Sequence, residues 1–211
     1  MATKNSMNLL RLMELTRAQA LQGYILSEVP KTELPDLAQH HYLVTFIAWR
    51  LASYAKKRGA KISVEKVLEY ALVHDLGELF GGDISMPYAK ANPAAKEAAR
   101  AFEMENQRFF SKFFDDDKEY IQELFAQVMD AKSDEVLIAK IADYIEITQF
   151  KLYVKKLTKG DITMAGNKIQ EKINKISDTK AKVALKNFTK DWVKQMKDGT
   201  LKEIFEADKW K

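Results

Sequence analysis

Residues 71–85, "ALVHDLGELFGGDIS", place three ionisable groups at the end of an apolar helical pattern. The stretch closes a segment in which Val64, Val67, Leu68 and Ala71 recur at helical spacing and mark an inward stripe. His74, Asp75 and Glu78 fall on that stripe, where the pattern asks for Leu or Ile. Ionisable groups on a buried face are costly unless they are paired, hydrogen-bonded or bound to a metal. The spacing predicts a helix capped by Ser63, running to about Leu79 and broken by Gly81-Gly82, with all three groups facing one cavity.

The surrounding chain is helical in character too. It has 211 residues, 46% of them hydrophobic, with 8 Gly and 4 Pro, a balance that favours helix over strand and permits a packed core. No period-2 alternation and no internal repeat is evident, so the expected class is all-α. The absence of cysteine removes disulfides, thiolate metal sites and cysteine nucleophiles together. No stretch reaches the roughly 18 uninterrupted apolar residues of a membrane span, so a cytoplasmic protein without membrane partners is expected.

Charge is unevenly spread. Residues 1–150 hold 18 Lys+Arg against 22 Asp+Glu, whereas residues 151–211 hold 16 Lys, no Arg and 8 acids. A basic tail can mark nucleic-acid binding, but a lysine-only surface lacks the bidentate forks that such recognition favours. The solvated face of amphipathic helices accounts for it, and nucleic acid is not expected as a partner.

Helices are predicted at about 7–26, 36–58 (stopped by Gly59), 93–114, 117–131 and 134–157. Gly160 and Gly166 are read as a turn, followed by lysine-rich helices at about 167–177 and 179–197 and a short tail after Gly199. Residues 1–157 are expected to form the main domain, with 158–211 as a helical extension packed on it.

Two further elements carry polar groups on apolar stripes. On the second helix His40 lies about 40° from the centre of the stripe formed by Leu37, Val44, Ile47, Ala48, Leu51 and Ala55, and His41 about 60° on the other side. In "EVLIAKIADYIEITQF" Asp143 shares a register with Val136, Ala139, Ile147 and Phe150 on a helix apolar nearly all round. Two readings fit: a buried hydrogen-bonded network, or a divalent cation that compensates the carboxylates and draws in neutral imidazoles. The mixed N/O donor set suits one Mn, Co, Fe or Zn ion rather than two.

These residues resemble the signature of the HD-domain phosphohydrolases: a His, then a His-Asp pair, then a distant Asp, here His40, His74-Asp75 and Asp143. More narrowly, "QHHYLVTFIAWRLA", "HDLGELFGGDI" and "IADYIEI" are similar to the corresponding segments of the 5′-deoxynucleotidase branch, over about residues 9–155. The resemblance implies an all-α HD-domain bundle with one divalent metal held by His40, His74, Asp75 and Asp143. It also implies Glu78 beside the attacking water, Asp83 lining a nucleotide pocket, and hydrolysis of a nucleoside 5′-monophosphate, in a protein that can form a homodimer. Tyr24 could form an aromatic wall for the substrate, although an aromatic at that spacing is more often core.

The chain departs from the branch in three places. Gln39 precedes the first histidine where the branch has an acid, Gly23-Tyr24 replaces an Arg-Trp or Gly-Trp step, and the lysine after "GDISMP" stands at Lys90. Arg11 and Arg17 are the alternatives for the missing phosphate-binding arginine. Two other readings are a hydrolase of another phosphorylated nucleotide such as guanosine tetraphosphate, and an inactive helical binding module. Leu79 after Glu78 counts against the first, because that branch carries an acid there; the four intact ligand positions count against the second.

Overall fold

The computed structural model describes residues 4–198. At its centre three helices pack on one another: α2 (Leu37–Lys57), α3 (Val64–Val73) and α7 (Asp134–Tyr153). Asp36 starts α2 by accepting a hydrogen bond from Gln39 N at 2.8 Å. The inner face of α2, with Val44, Ala48, Leu51, Ala52 and Ala55, is fully buried, and its small alanines let neighbouring helices approach closely. Gly59, at φ +85°, ends it in a left-handed conformation that suits glycine. Ser63 caps α3 and Ser133 caps α7, each accepting from the backbone N–H three residues on. Val136, Leu137, Ile138, Ala139, Ile141, Ala142 and Ile145 are buried, so α7 is enclosed over most of its circumference.

Around this centre lie α1 (Lys4–Met13), α4 (Met86–Ala91), α5 (Pro93–Ser111), α6 (Lys118–Asp130), α8 (Lys159–Lys175) and α9 (Thr179–Asp198). The described residues form no β-strand, in keeping with the expected all-α class; one isolated antiparallel bridge joins Ala20 to Asp36. No helix among them is long and apolar enough to cross a membrane.

The structure differs from the sequence reading in four places, the first being α4, a short helix at Met86–Ala91 where a loop is expected between Gly81 and Pro93. The helix expected over 7–26 stops at Met13 and continues as two tight 3₁₀ turns, Glu14–Arg17 and Gln22–Ser27. Leu21 N donates to Pro35 O and Leu37 N to Gln19 O, so this strip pairs with the segment leading into α2 instead of with itself. The α-helix expected to reach Leu79 ends at Val73, and Leu76–Glu78 forms a separate 3₁₀ turn. Gly160 and Gly166 lie inside α8, not in a turn. A reciprocal capping box between Thr158 and Asp161 starts that helix early, and burial of Ala165, Ile169 and Ile173 offsets the roughly 1 kcal/mol that each glycine costs. The tail expected after Gly199 lies outside the described residues.

Helix α8 packs along α7, and α9 packs on α8 and α2. Lys151 of α7 is buried, and its ammonium bonds Asp161 Oδ1 at 2.8 Å. Asp161 also accepts from Thr158 N and Oγ1. Burial alone would raise the Asp161 pKa, but these donors lower it, so the carboxylate adds stability above its unfolded pKa that is lost as pH falls through the folded value. Asp161→Ala removes a cap and strands a buried cation, and should cost about 3 kcal/mol in urea unfolding at pH 7. Adding Lys151→Met should recover part of that loss. A single variant with wild-type stability would refute this account.

Candidate metal centre

The early end of α3 sets the geometry of the site. His74 keeps helical angles, but Asp75 turns out of the helix at φ −120°, ψ 16°. The following turn is held against α5, where Asn106 Nδ2 donates to Gly77 O at 2.8 Å. A side chain at Gly77 would bring its Cβ to 2.5 Å from Glu103 Cγ, so only glycine lets α5 lie this close. Beyond the turn, Gly81 and Gly82 take φ +99° and +109°, redirecting the chain so that Asp83 faces the Gln22–Ser27 turn.

Four donor atoms from three helices converge here. His40 Nε2 lies 3.2 Å from His74 Nε2. It also lies 3.4 Å from Asp75 Oδ2 and 3.5 Å from Asp143 Oδ1. His74 Nε2 is 3.2 Å from Asp75 Oδ2. Donors from His40, His74 and Asp75 all lie within 4.8 Å of one another, and Asp143 approaches from α7.

Both ring orientations are fixed from behind. His74 Nδ1 meets the Ala71 carbonyl at 2.8 Å and His40 Nδ1 meets Glu146 Oε2 at 2.7 Å. A carbonyl and a carboxylate can only accept, so both Nδ1 atoms carry hydrogen and both Nε2 atoms face the cage.

These separations test the site for a cation. His40 Nε2, His74 Nε2 and Asp75 Oδ2 stand 3.2–3.4 Å apart, at or beyond the long end of hydrogen bonding, and Asp143 Oδ1 is 3.5 Å from His40 Nε2. Ligands about 2.0–2.2 Å from one shared ion stand roughly 3.0–3.5 Å apart, by tetrahedral or octahedral geometry. Two imidazoles and the Asp75 carboxylate at this spacing fit one divalent ion, with Asp143 approaching from the His40 side.

Comparison with known proteins identifies the domain. The HD-domain family model matches residues 22–196. The chain belongs to the HD-domain family. A 5′-deoxynucleotidase of Vibrio vulnificus (strain YJ016) is 29% identical over 171 residues, covering 74% of this chain and 85% of the relative. The crystal structure of the PH0347 protein from Pyrococcus horikoshii OT3 superposes with TM-score 0.63 at 22% identity, covering 90% of this chain and 97% of that one. A predicted metal-dependent phosphohydrolase from Magnetospirillum magnetotacticum MS-1 gives 0.59 at 14% identity, covering 93% and 97%. At these identities the two solved structures are similar in fold.

Within this HD domain the ionisable groups of the site shift one another's pKa values. Burial alone would lower the His40 pKa, but the Asp75 and Glu146 carboxylates hold it well above the usual histidine value. Asp75 is held well below the carboxylate range, against the effect of burial, by His74 and His40. Asp143 is raised by burial and by Asp75. Glu78 is pushed up to about 10 by burial and by the carboxylates of Asp75, Asp83 and Glu103.

The other sequence candidates occupy distinct places. Asp83 Oδ2 accepts from Gly23 N at 2.7 Å and so pins the Gln22–Ser27 turn. Tyr24 of that turn is only 4% exposed, its ring centroid is 4.7 Å from that of Phe150, and its hydroxyl points back to Glu146. It stands behind the cage, not at an open wall. Lys90 is exposed on the last turn of α4. Arg11 is exposed, and Arg17 pairs with Glu14 in solvent. His41 is buried as well, its ring centroid 4.8 Å from that of His74, and burial with His74 and His40 nearby lowers its pKa to about 3. It is a neutral neighbour of the donor group and does not belong to it.

Three residues escaped the sequence reading. Glu146 stands one turn after Asp143 in "DYIE", and a second acid on an all-apolar helix was the available signal. Glu103, on α5, is raised by burial and by Asp75. Lys140 precedes Asp143 by one turn, and its charge lowers the pKa of both Asp143 and Glu103.

Proposed function

We propose that this chain is a cytoplasmic metal-dependent phosphohydrolase that removes phosphate from nucleoside 5′-monophosphates, with deoxynucleotides as preferred substrates. The convergence of His40, His74, Asp75 and Asp143 carries this reading, because those residues would hold one divalent cation. When bound, such a cation polarises a phosphate oxygen and makes water a better nucleophile near neutral pH. Phosphate monoesters need this help, since their hydrolysis requires accelerations of up to about 10²¹. The similarity to the Vibrio 5′-deoxynucleotidase supports the substrate class.

The chain's own groups divide the remaining work. Glu78, protonated at neutral pH without a cation, takes or gives the proton that travels with water and the leaving 5′-oxygen. Lys140, whose charge reaches Asp143 and Glu103, balances the phosphate dianion in place of the missing arginine. Asp83 fixes the Gly23 amide at the border of the substrate pocket, and Lys90 extends from the neighbouring helix α4. A second copy of the chain is the expected partner in a homodimer.

Phosphate release from a panel of deoxy- and ribonucleoside 5′-monophosphates and guanosine tetraphosphate, with Mn²⁺ or Co²⁺ supplied, tests the proposal. Release from the monophosphates is expected, with Lys140→Met raising KM by about tenfold, the equivalent of 1.4 kcal/mol. Metal-loaded protein that releases phosphate from no monophosphate would refute it.

A further inference from the structure

The two histidines of the cage face the same problem and meet it differently. Each must present the Nε2 lone pair inward, which requires an acceptor behind Nδ1. His74 sits at the end of α3, where the last carbonyls have no partner within the helix, and Ala71 O is free to accept at 2.8 Å. His40 sits in the first turn of α2, whose following turns occupy the helix carbonyls in its own ladder. The acceptor for His40 must therefore come from another element.

Helix α7 supplies it. Glu146 is 2% exposed and its Oε2 lies 2.7 Å from His40 Nδ1. The same oxygen faces the Tyr24 hydroxyl at 3.4 Å. Because Glu146 follows Asp143 by one turn, a single rigid helix delivers one cage donor and the support behind another. Gln39, the residue before His40, is exposed and uses its amide on Asp36 at 2.9 Å, so it offers His40 no such support.

We propose that Glu146 is the positioning residue for His40: it fixes the tautomer and ring angle that present Nε2 to the cation, so that α7 contributes two residues to metal affinity instead of one. This inference rests on the metal reading above. A carboxylate in this place raises the basicity of the imidazole as well as orienting it, and losing such a partner costs about 10–100-fold in metal affinity.

The test uses the full chain and Co²⁺ alone. Wild type and Glu146→Gln are titrated with Co²⁺ against a competing chelator, with circular dichroism of the metal-free proteins as the folding control. Glu146→Gln keeps the size of the side chain and should weaken Co²⁺ binding about 10–100-fold. In proton NMR of the Co²⁺-loaded wild type, the ring N–H signals of His40 and His74 should both be visible and slow to exchange with solvent. A further variant, Glu146→Leu, which leaves no acceptor behind His40 Nδ1, should lose or broaden the His40 signal and keep that of His74, a change that a merely structural role would not produce. Glu146→Asp, which withdraws the carboxylate by one methylene, should bind with intermediate affinity and replaces the first variant in the test if that one does not fold. Binding within twofold of wild type with both N–H signals retained would overturn the inference. A wild type that takes up no Co²⁺ would be a different failure, of the metal reading itself.

Discussion

Asp143→Ala should abolish metal retention after gel filtration and lower kcat/KM for phosphate release by at least about 10³, or some 4 kcal/mol of transition-state stabilisation. The carboxylate is the one cage donor that α7 contributes directly, 3.5 Å from His40 Nε2. Helix α7 is packed on both α2 and α3 and cannot slide to bring another of its residues into that place. His74→Ala should behave in the same way, since it removes the atom shared between His40 and Asp75. His41→Ala is the control. Its ring packs on His74 but supplies no atom to the donor group, so that variant should keep its metal while losing some stability. Equal metal loss from His41→Ala, or full metal retention by Asp143→Ala, would show that the cage has been assigned wrongly.

The parts of this site that the sequence made legible were those in which a polar residue interrupts a helical stripe. His40, His74 and Asp143 each stood out on an apolar face, and each now lies in one cluster. Element boundaries were less legible where tertiary contacts override local pattern. Residues 14–27 keep a helical apolar rhythm, yet the backbone of Leu21 and Gln19 pairs with that of Pro35 and Leu37 ahead of α2, which no local period reveals. The helix ahead of Asp75 ends early because α5 grips Gly77, a contact across some 30 positions of the chain. Glu146 was missed for a related reason. Its spacing from Asp143 was visible, but its partner His40 lies 106 positions away, and only the packing of α2 on α7 brings them together.

Glu78→Gln should produce two changes of opposite sign, and together they separate a functional role from a structural one. Burial and the nearby Asp75, Asp83 and Glu103 carboxylates push the Glu78 pKa from 4.5 to about 10. In the folded, metal-free protein the carboxyl therefore keeps its proton at pH values where the unfolded chain has lost it. The folded state binds more protons between those limits, so Glu78 lowers stability progressively as pH rises above 4.5. A neutral amide of the same shape has no such dependence. The metal-free variant should accordingly be more stable than wild type at pH 7, on the order of 1–3 kcal/mol in urea unfolding, with the difference vanishing near pH 4. Activity should move the other way. Losing the group that handles the proton should reduce kcat by about 10²–10⁴ while leaving KM little changed. A residue kept for packing would lose stability when replaced; one kept for chemistry holds a strained protonation state that its replacement relieves. A Glu78→Gln protein that is less stable at pH 7 and still turns over at the wild-type rate would place Glu78 in the first class and remove it from the reaction.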